Sequence, residues 1–305
     1  MKRKSKKYLL PLIVLIIFLM GSGVLISLKH NSDNKKAQAA ETLKLQEEKK
    51  LEEVKQEEAK KEAEKKSQEE TVKVQQAIKG EGTSKKIPVL MYHSIDYEKG
   101  NALRIPKDKF RLQMKYLKDN GFTPLSMEEL YNYIVFNAPL PSKPIVLTLD
   151  DGYVDNYTNA FPVLKEFNFK ATVFMITSLI DTNPKYLTSA QLKEMDKAGV
   201  EIESHSVTHP ELNTLSYDNQ LQELKTSKET LEKLLGREVP YLAYPFGKFN
   251  TDTLKIVENL GYKMAFSTVI SDASKSDGIF KLHRLYVSND YSMDYFKKMV
   301  NSANK

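Results

Sequence analysis

The pattern of hydrophobic and polar positions changes three times along the chain. An apolar stretch without a charge covers residues 8–28, and a stretch rich in Glu, Lys, Gln and Ala follows it to about residue 79. After a break that contains Gly and Ser, short apolar runs alternate with amphipathic segments up to the C-terminus. This order predicts a basic tail at 1–7, a membrane segment at 8–28, a stalk at 29–86 and a globular domain at 87–305.

Strand-like and helix-like segments alternate in the predicted globular domain. Short apolar or β-branched runs predict strands at residues 87–92, 123–125, 145–149, 171–176, 200–203, 239–244, 264–268 and 282–287. Amphipathic segments between them predict helices at residues 107–120, 127–135, 156–167, 189–198, 216–235, 252–260 and 293–300. Seven or eight such units predict an α/β fold, a distorted (β/α)7–8 barrel of the TIM type.

The charged stretch before the domain favours a solvated, partly helical stalk. Glu57 with Lys61 and Glu62 with Lys66 have the i,i+4 order that stabilises a helix. The apolar residues of this stretch form no sustained heptad, so the alternative of a coiled-coil partner site is weaker.

The net charge of +6 comes mainly from Lys and Arg within residues 2–7, so we expect no nucleic acid partner.

A helix over residues 8–28 would be about 32 Å long, enough to cross a bilayer core. Basic residues before it place the N-terminus in the cytoplasm and the domain outside the cell. A cleaved signal peptide, which would leave the protein secreted, is the alternative, because residues 37–39 read Ala-Gln-Ala. That sequence lies well past the apolar stretch, so a retained anchor is favoured.

Two adjacent carboxylates end the most hydrophobic strand-like run. Asp150 and Asp151 follow residues 145–149 directly, and Gly152 comes next. Neighbouring side chains at a strand end point in different directions, so one carboxylate can bind a metal while the other accepts a proton. The structural alternative is an Asp-Gly turn that closes a strand.

Histidine is the other residue type that indicates a metal site, because the chain has no Cys and five His. Four of them, His93, His205, His209 and His283, fall at or beside strand-like runs, where barrel enzymes carry catalytic groups. An HxxxH pair alone often arises by chance, but with the acid pair it predicts Asp151, His205 and His209 as ligands with room for water. Zinc is the default ion, and cobalt, nickel and iron suit the same ligands.

Four motifs, in this order, resemble those of the polysaccharide deacetylases, the NodB-homology family of carbohydrate esterases. They are TLDDGY at 148–153, HSVTH at 205–209, YPFG at 244–247 and LH at 282–283. The resemblance covers residues 87–305. It implies a distorted (β/α) barrel and metal-dependent removal of N-acetyl groups from amino-sugar polymers.

The resemblance also implies a role for each motif residue. Asp150 would be the general base, and Asp151 would bind the metal with both histidines of HSVTH. His283 would be the general acid, and the backbone N–H of Phe246 would help to hold the oxyanion. These roles agree with amide hydrolysis, which requires an activated water, a polarised carbonyl and a proton for the leaving amine.

Two positions depart from the family pattern. The third motif usually has an Arg that orients the base, where this chain has Leu242, and Arg284 and Lys248 are the candidates to replace it. The first motif ends in Tyr153 where peptidoglycan and chitin deacetylases typically have Pro. Together with MYHS at 91–94, this is more similar to the branch that acts on poly-β-1,6-N-acetylglucosamine.

Aromatic residues and one histidine are the candidates for substrate contact. His93 is expected to line the site, with packing at a strand end as an equally weighted alternative. Tyr153, Tyr244 and Phe246 offer aromatic faces to a sugar, although core packing is the commoner use of such residues.

The sequence therefore predicts a membrane-anchored, extracytoplasmic, metal-dependent polysaccharide N-deacetylase. Its expected substrate is an N-acetylated amino-sugar polymer, with an exopolysaccharide favoured and peptidoglycan next. Leu242 supports the alternative of a catalytically silent glycan-binding protein of the cell wall. A second alternative, a domain that only spaces the anchor from the wall, predicts no bound metal. The sequence leaves protein partners unknown.

Overall fold

The computed structural model describes the backbone of residues 9–81 and 85–302, and their side chains from residue 27 onward except 28, 37 and 47. The first helix, α1, spans Leu9–Lys79. The predicted basic tail and nearly all side chains of the predicted membrane segment lie outside the described residues. Within the described part of the chain, no helix is long and apolar enough to cross a membrane.

The chain divides into two compact units, Met1–Glu69 and Glu70–Lys305. The described residues of the first unit are helical, and their described side chains are exposed. Lys61 Nζ lies 2.7 Å from Glu57 Oε1, as the i,i+4 spacing predicts. The second unit begins before residue 87, so it includes the last turns of α1.

The end of α1 belongs to the second unit and packs against other residues of that unit. Ala77 is fully buried, and its carbonyl oxygen accepts a hydrogen bond from Ile279 N at 3.0 Å. Gly80 has φ 72°, and a Cβ there would lie 2.8 Å from the carbonyl oxygen of Ser276. Glycine at this position therefore permits a close approach of two backbone segments.

Eight parallel strands follow the predicted positions within a few residues. They are β1 Val89–Tyr92, β2 Thr123–Pro124, β3 Pro144–Asp151, β4 Ala171–Met175, β5 Val200–Ser204, β6 Tyr241–Ala243, β7 Met264–Ile270 and β8 Leu282–Tyr286. β1 pairs with both β8 and β3, which closes the sheet into a ring, and β2 pairs with the first two residues of β3. The predicted α/β barrel is therefore confirmed for this unit.

Six helices connect the strands at the predicted places, and a seventh follows β8. They are α2 Lys107–Asp119, α3 Met127–Phe136, α4 Phe161–Phe167, α5 Ser189–Lys197, α6 Tyr217–Leu235, α7 Thr251–Asn259 and α8 Met293–Val300. The predicted helix at 156–167 is divided, since a π-helical turn at Asn156–Ala160 precedes α4. Such turns are frequent near functional sites.

The strand that carries the two carboxylates is buried along its whole length. All eight residues of β3 are buried, including Asp150 and Asp151. Strands of a parallel sheet are covered on both faces, so β3 reads as a continuous apolar run until its last two residues. Its C-terminal end opens at the face of the ring where the βα connections begin.

Candidate active site

The structure brings together the three predicted metal ligands. Asp151 ends β3, His205 directly follows β5, and His209 lies in the loop after it. One ligand atom from each residue lies within 4.8 Å of the other two. Asp151 Oδ1 is 3.4 Å from His205 Nε2 and 3.5 Å from His209 Nε2.

These residues fit a divalent cation. Asp151 Oδ1 is buried and has no hydrogen-bond partner among the described residues, a costly arrangement that a cation would relieve. His205 Nδ1 donates to the Ala243 carbonyl oxygen at 2.7 Å, which leaves Nε2, the nitrogen that faces Asp151, as its ligand atom. Two nitrogen donors and one carboxylate oxygen are the protein ligands typical of catalytic zinc sites.

Two of the ligands also have the charge state that metal binding requires. Burial raises the pKa of Asp151, but the neighbouring imidazoles more than offset this and lower it to about 2. Burial lowers the pKa of His209 to about 4, with the charge of His205 acting in the same direction. At neutral pH the carboxylate is therefore ionised and His209 is neutral.

A left-handed backbone turns the chain at the end of β3. Asp151 has φ 73° and Gly152 has φ 78°. A Cβ at Gly152 would lie only 2.0 Å from Met175 Sδ of the neighbouring β4. The φ angle favours glycine at this position of the DDG motif, and a side chain there would have to displace Met175.

Glu223 of α6 holds the loop between His205 and His209, and no sequence pattern indicated this role. Its carboxylate accepts hydrogen bonds from Val207 N and Thr208 N, both at 2.9 Å, and from Thr208 Oγ1 at 2.7 Å. His209 N donates to Ser206 Oγ at 3.0 Å. Both Ser206 and His209 have positive φ, so these bonds stabilise a backbone that would otherwise be unfavourable.

Arg284 is the residue that orients the predicted base. It is fully buried on β8, and its Nη1 and Nη2 lie 2.7 Å from Asp150 Oδ1 and Oδ2 respectively. Arg284 Nε donates to the Ser267 carbonyl oxygen at 3.1 Å, which fixes the guanidinium plane. Of the two candidates for the Arg missing at Leu242, Arg284 therefore makes the contact. Burial raises the pKa of Asp150, but its charged neighbours, the Arg284 guanidinium first among them, lower it by more, so the net shift of the pKa is downward.

The structure does not bring His283 to this cluster. His283 and Arg284 are neighbours on β8, so their side chains point to opposite faces, and Arg284 takes the inward face. His283 Nδ1 lies 3.4 Å from Asp277 Oδ1, and His283 does not line the cavity that contains Asp150. The role of general acid that the family resemblance implies for His283 therefore gains no support from its position.

His93 does line that cavity, directly after β1. Its Nδ1 is buried without a hydrogen-bond partner among the described residues. Burial lowers the pKa of His93, while the carboxylates of Asp150 and Asp151 act against this shift. The His93 carbonyl accepts a bond from Asn156 Nδ2 at 2.8 Å, and Asp155 binds the next two residues of the chain.

The cavity has a volume of about 390 Å³ and is walled partly by aromatic rings. Tyr153 stacks on Tyr186 with ring centroids 5.1 Å apart, and Arg104 Cζ lies 5.8 Å from the centre of the Tyr153 ring. Tyr244 also borders the cavity, but its hydroxyl donates to the Phe280 carbonyl oxygen at 3.0 Å. Tyr153 and Tyr244 therefore shape the wall of the site.

Phe246 borders the metal-ligand side of the cavity. Its side chain is 53% exposed, and its ring centroid lies 4.5 Å from that of His209. Phe246 has φ 56°, and its carbonyl oxygen accepts a bond from Thr268 Oγ1 at 3.2 Å. That bond fixes the peptide group that follows Phe246, and Phe246, whose N–H is predicted to hold the oxyanion, lies beside the predicted ligand His209.

Comparison with known proteins identifies the family of the chain. The family described as "Polysaccharide deacetylase" matches residues 137–265. YxkH of Bacillus subtilis, named as a candidate polysaccharide deacetylase, is 40% identical over 71% of this chain and 77% of its own length. The poly-β-1,6-N-acetyl-D-glucosamine N-deacetylase of Staphylococcus aureus is 29% identical over 61% of this chain and 68% of its own. The structure of Streptococcus pyogenes deacetylase PplD with acetate has a TM-score of 0.68 and 35% identity, covering 70% of this chain and 98% of PplD. The chain belongs to the polysaccharide deacetylase family.

Proposed function

We propose that this polysaccharide deacetylase removes N-acetyl groups from poly-β-1,6-N-acetylglucosamine or a similar exopolysaccharide, with the help of a divalent metal ion. The observation that carries the proposal is the Asp151, His205 and His209 cluster beside the buried Asp150 and Arg284 pair. The similarity to the S. aureus enzyme supports the polymer. Peptidoglycan is the second candidate substrate.

A divalent ion held by Asp151, His205 and His209, with zinc as the default, would polarise the acetyl carbonyl and acidify water. Asp150 is the general base of the proposed reaction. Arg284 keeps its carboxylate ionised and oriented, and each oxygen retains a lone pair that can accept a proton from the attacking water. The Phe246 N–H is proposed to stabilise the negative charge that develops on the carbonyl oxygen.

His93 replaces His283 as the proposed general acid. It faces the same cavity as Asp150, and its unpartnered Nδ1 is free of competing protein acceptors within the described part of the chain. A protonated His93 would donate to the leaving amine nitrogen, after which the amide C–N bond breaks. The acid must be protonated to act, so activity should fall as the pH rises through the pKa of His93. Because this pKa is lowered, the fall should occur at a lower pH than the pKa of an ordinary histidine.

The location outside the cell is also a proposal. It is supported by the basic residues 2–7 before the uncharged stretch at 8–28 and by the charged helical stretch that follows. An anchor and a stalk would hold the catalytic unit near polymers outside the membrane. If the apolar stretch is cleaved, the same unit is secreted.

Acetate release by the full-length protein tests the proposed function. The substrates are β-1,6-linked N-acetylglucosamine oligomers, chitin oligomers and muropeptide glycans, each assayed after chelation and after zinc is restored. We expect zinc-dependent release that is fastest from the β-1,6-linked oligomers. Faster release from muropeptide glycans would contradict the proposed polymer, and polymer binding without any release would favour the silent glycan-binding alternative.

A further inference from the structure

A row of three tyrosines leads outward from the catalytic cavity, and we call Tyr286, Tyr291 and Tyr295 the tyrosine row. The ring of His93 lies 6.3 Å from that of Tyr286, which ends β8. The Tyr286 ring lies 6.3 Å from Tyr291, and the Tyr291 ring lies 4.3 Å from Tyr295. The row is therefore continuous with the site and extends onto the β8–α8 connection.

Core packing does not account for this row. Tyr295 is 49% exposed, whereas its neighbour Phe296 on the same helix is fully buried and contacts the ring of Tyr116. Helix α8 is thus anchored to the core by Phe296, and Tyr295 is free to face solvent. Tyr286 and Tyr291 are half-buried.

The connection that carries the row is held in place. Tyr291 N donates to the Ser288 carbonyl oxygen at 3.2 Å, and Asn289 N donates to the Ala102 carbonyl oxygen at 2.9 Å. The Asn289 carbonyl also accepts a bond from Lys109 Nζ. Rigid aromatic rings lose little conformational entropy when a ligand binds, so a fixed row is suited to recognition.

We propose that the tyrosine row is a binding subsite for sugar units of the polymer that flank the unit being deacetylated. This inference rests on the proposed function and identifies residues that make longer polymers better substrates. The apolar face of a pyranose ring packs on an aromatic face, while tyrosine hydroxyls can bond the sugar hydroxyls. Continuity with His93 favours a sugar chain over other ligands, because the reacting unit must already occupy the cavity.

The test compares Tyr291→Ala and Tyr295→Ala with the wild type on a dimer and a hexamer of β-1,6-linked N-acetylglucosamine. We expect the ratio of kcat/KM for the hexamer to that for the dimer to fall by about threefold to tenfold, mainly through a higher KM. Tyr295→Phe keeps the ring and should retain most of the ratio. Tyr217→Ala, at an exposed tyrosine outside the row, is the matched control and should leave the ratio unchanged.

Binding of the hexamer, measured by calorimetry on the same variants, separates this proposal from the proposed reaction. If the wild type releases no acetate but Tyr295→Ala still weakens hexamer binding, the reaction is wrong and the subsite stands. An unchanged hexamer-to-dimer ratio with unchanged hexamer affinity would overturn the subsite, as would an equal effect of Tyr217→Ala. Loss of binding to anionic lipid vesicles without any effect on the hexamer would overturn it in favour of a lipid surface.

Discussion

Asp150 and Asp151 are neighbours in the chain with different surroundings. Both oxygens of Asp150 bind the Arg284 guanidinium, whereas Asp151 Oδ1 has no hydrogen-bond partner among the described residues and faces two imidazoles. The positive φ of Asp151 turns the chain between the two side chains. This difference in environment supports a base at one position and a metal ligand at the other.

Separate substitutions should distinguish the two aspartates. Asp151→Asn weakens a metal ligand, so bound zinc and activity should fall together, as they should in His205→Ala. Asp150→Asn keeps the ligands, so zinc should remain near one equivalent while the rate falls by about 10²-fold to 10⁴-fold. Metal analysis and single-turnover rates measure both quantities. A metal-free Asp150→Asn protein would mean that the two roles are exchanged.

The two candidate general acids can be compared in the same way. His93→Ala should lower the rate by about 10²-fold or more and remove the alkaline limb of the pH–rate profile, because the acid must begin protonated. His283→Ala removes the contact with Asp277 but should keep that limb. Thermal unfolding of both variants controls for folding. Loss of the limb in the His283 variant, with His93→Ala still active, would restore the role that the family resemblance implies.

Arg284 should set the lower pH limit of activity. The base works when ionised, so activity is present above the pKa of Asp150 and is lost as the pH falls through it. In Arg284→Met the guanidinium is gone and burial remains, so the acid limb should move up by about one to three pH units. The variant should also be less stable by about 3–5 kcal/mol, because a buried charge loses its partner. An acid limb that stays in place in folded protein would rule out this role.

At the scale of elements, the metal ligands depend on strand ends and on a helix that contributes no ligand. β3 and β5 place Asp151 and His205, and α6 places Glu223 against the loop that carries His209. The divided helix after β3 contributes Asp155 and Asn156, which bind the backbone or side chains of residues 93–95. Residues outside the four motifs therefore hold the backbone segments on which the site residues lie.

Removal of the Glu223 carboxylate should weaken metal binding without unfolding the barrel. Glu223→Ala leaves two backbone N–H groups and one hydroxyl without an acceptor, so the loop should loosen and zinc affinity should fall by about tenfold to 100-fold. Competition with a chelator measures this affinity. Glu229→Ala, at an exposed position of the same helix, is the control and should bind zinc like the wild type. Equal affinity in both variants would show that the loop holds its shape without Glu223.

At the scale of the molecule, the catalytic unit extends further toward the N-terminus than its strands do. The second compact unit begins at Glu70, and the end of α1 buries Ala77 against it. Within that unit, a closed ring of parallel strands supports the strand ends and loops that carry the proposed metal ligands, the proposed base and the proposed acid. The ring provides a rigid base for these loops, as barrels do in other enzymes.

The end of α1 should contribute to the stability of the catalytic unit. A chain that starts at residue 87 lacks the buried Ala77 and its hydrogen bond to Ile279, so its free energy of unfolding should be lower by about 2 kcal/mol or more. A chain that starts at residue 70 retains both and is the control. Urea unfolding measures the difference. Equal stability of the two chains would place the start of the folding unit at the strands.

The sequence by itself determined the elements and the family. Strand and helix positions follow from local periodicity, and Asp151, His205 and His209 lie in motifs short enough to recognise without a fold. Only the tertiary structure showed which of Arg284 and Lys248 contacts Asp150, and which of His93 and His283 lines the cavity, because alternation along a strand shows that neighbours face opposite ways but not which face is interior. That choice depends on how β8 and β1 pair when the ring closes. The roles of Glu223 and of the end of α1 could not be predicted from the sequence for a related reason. Their contacts join segments that are distant in sequence and show no pattern of their own.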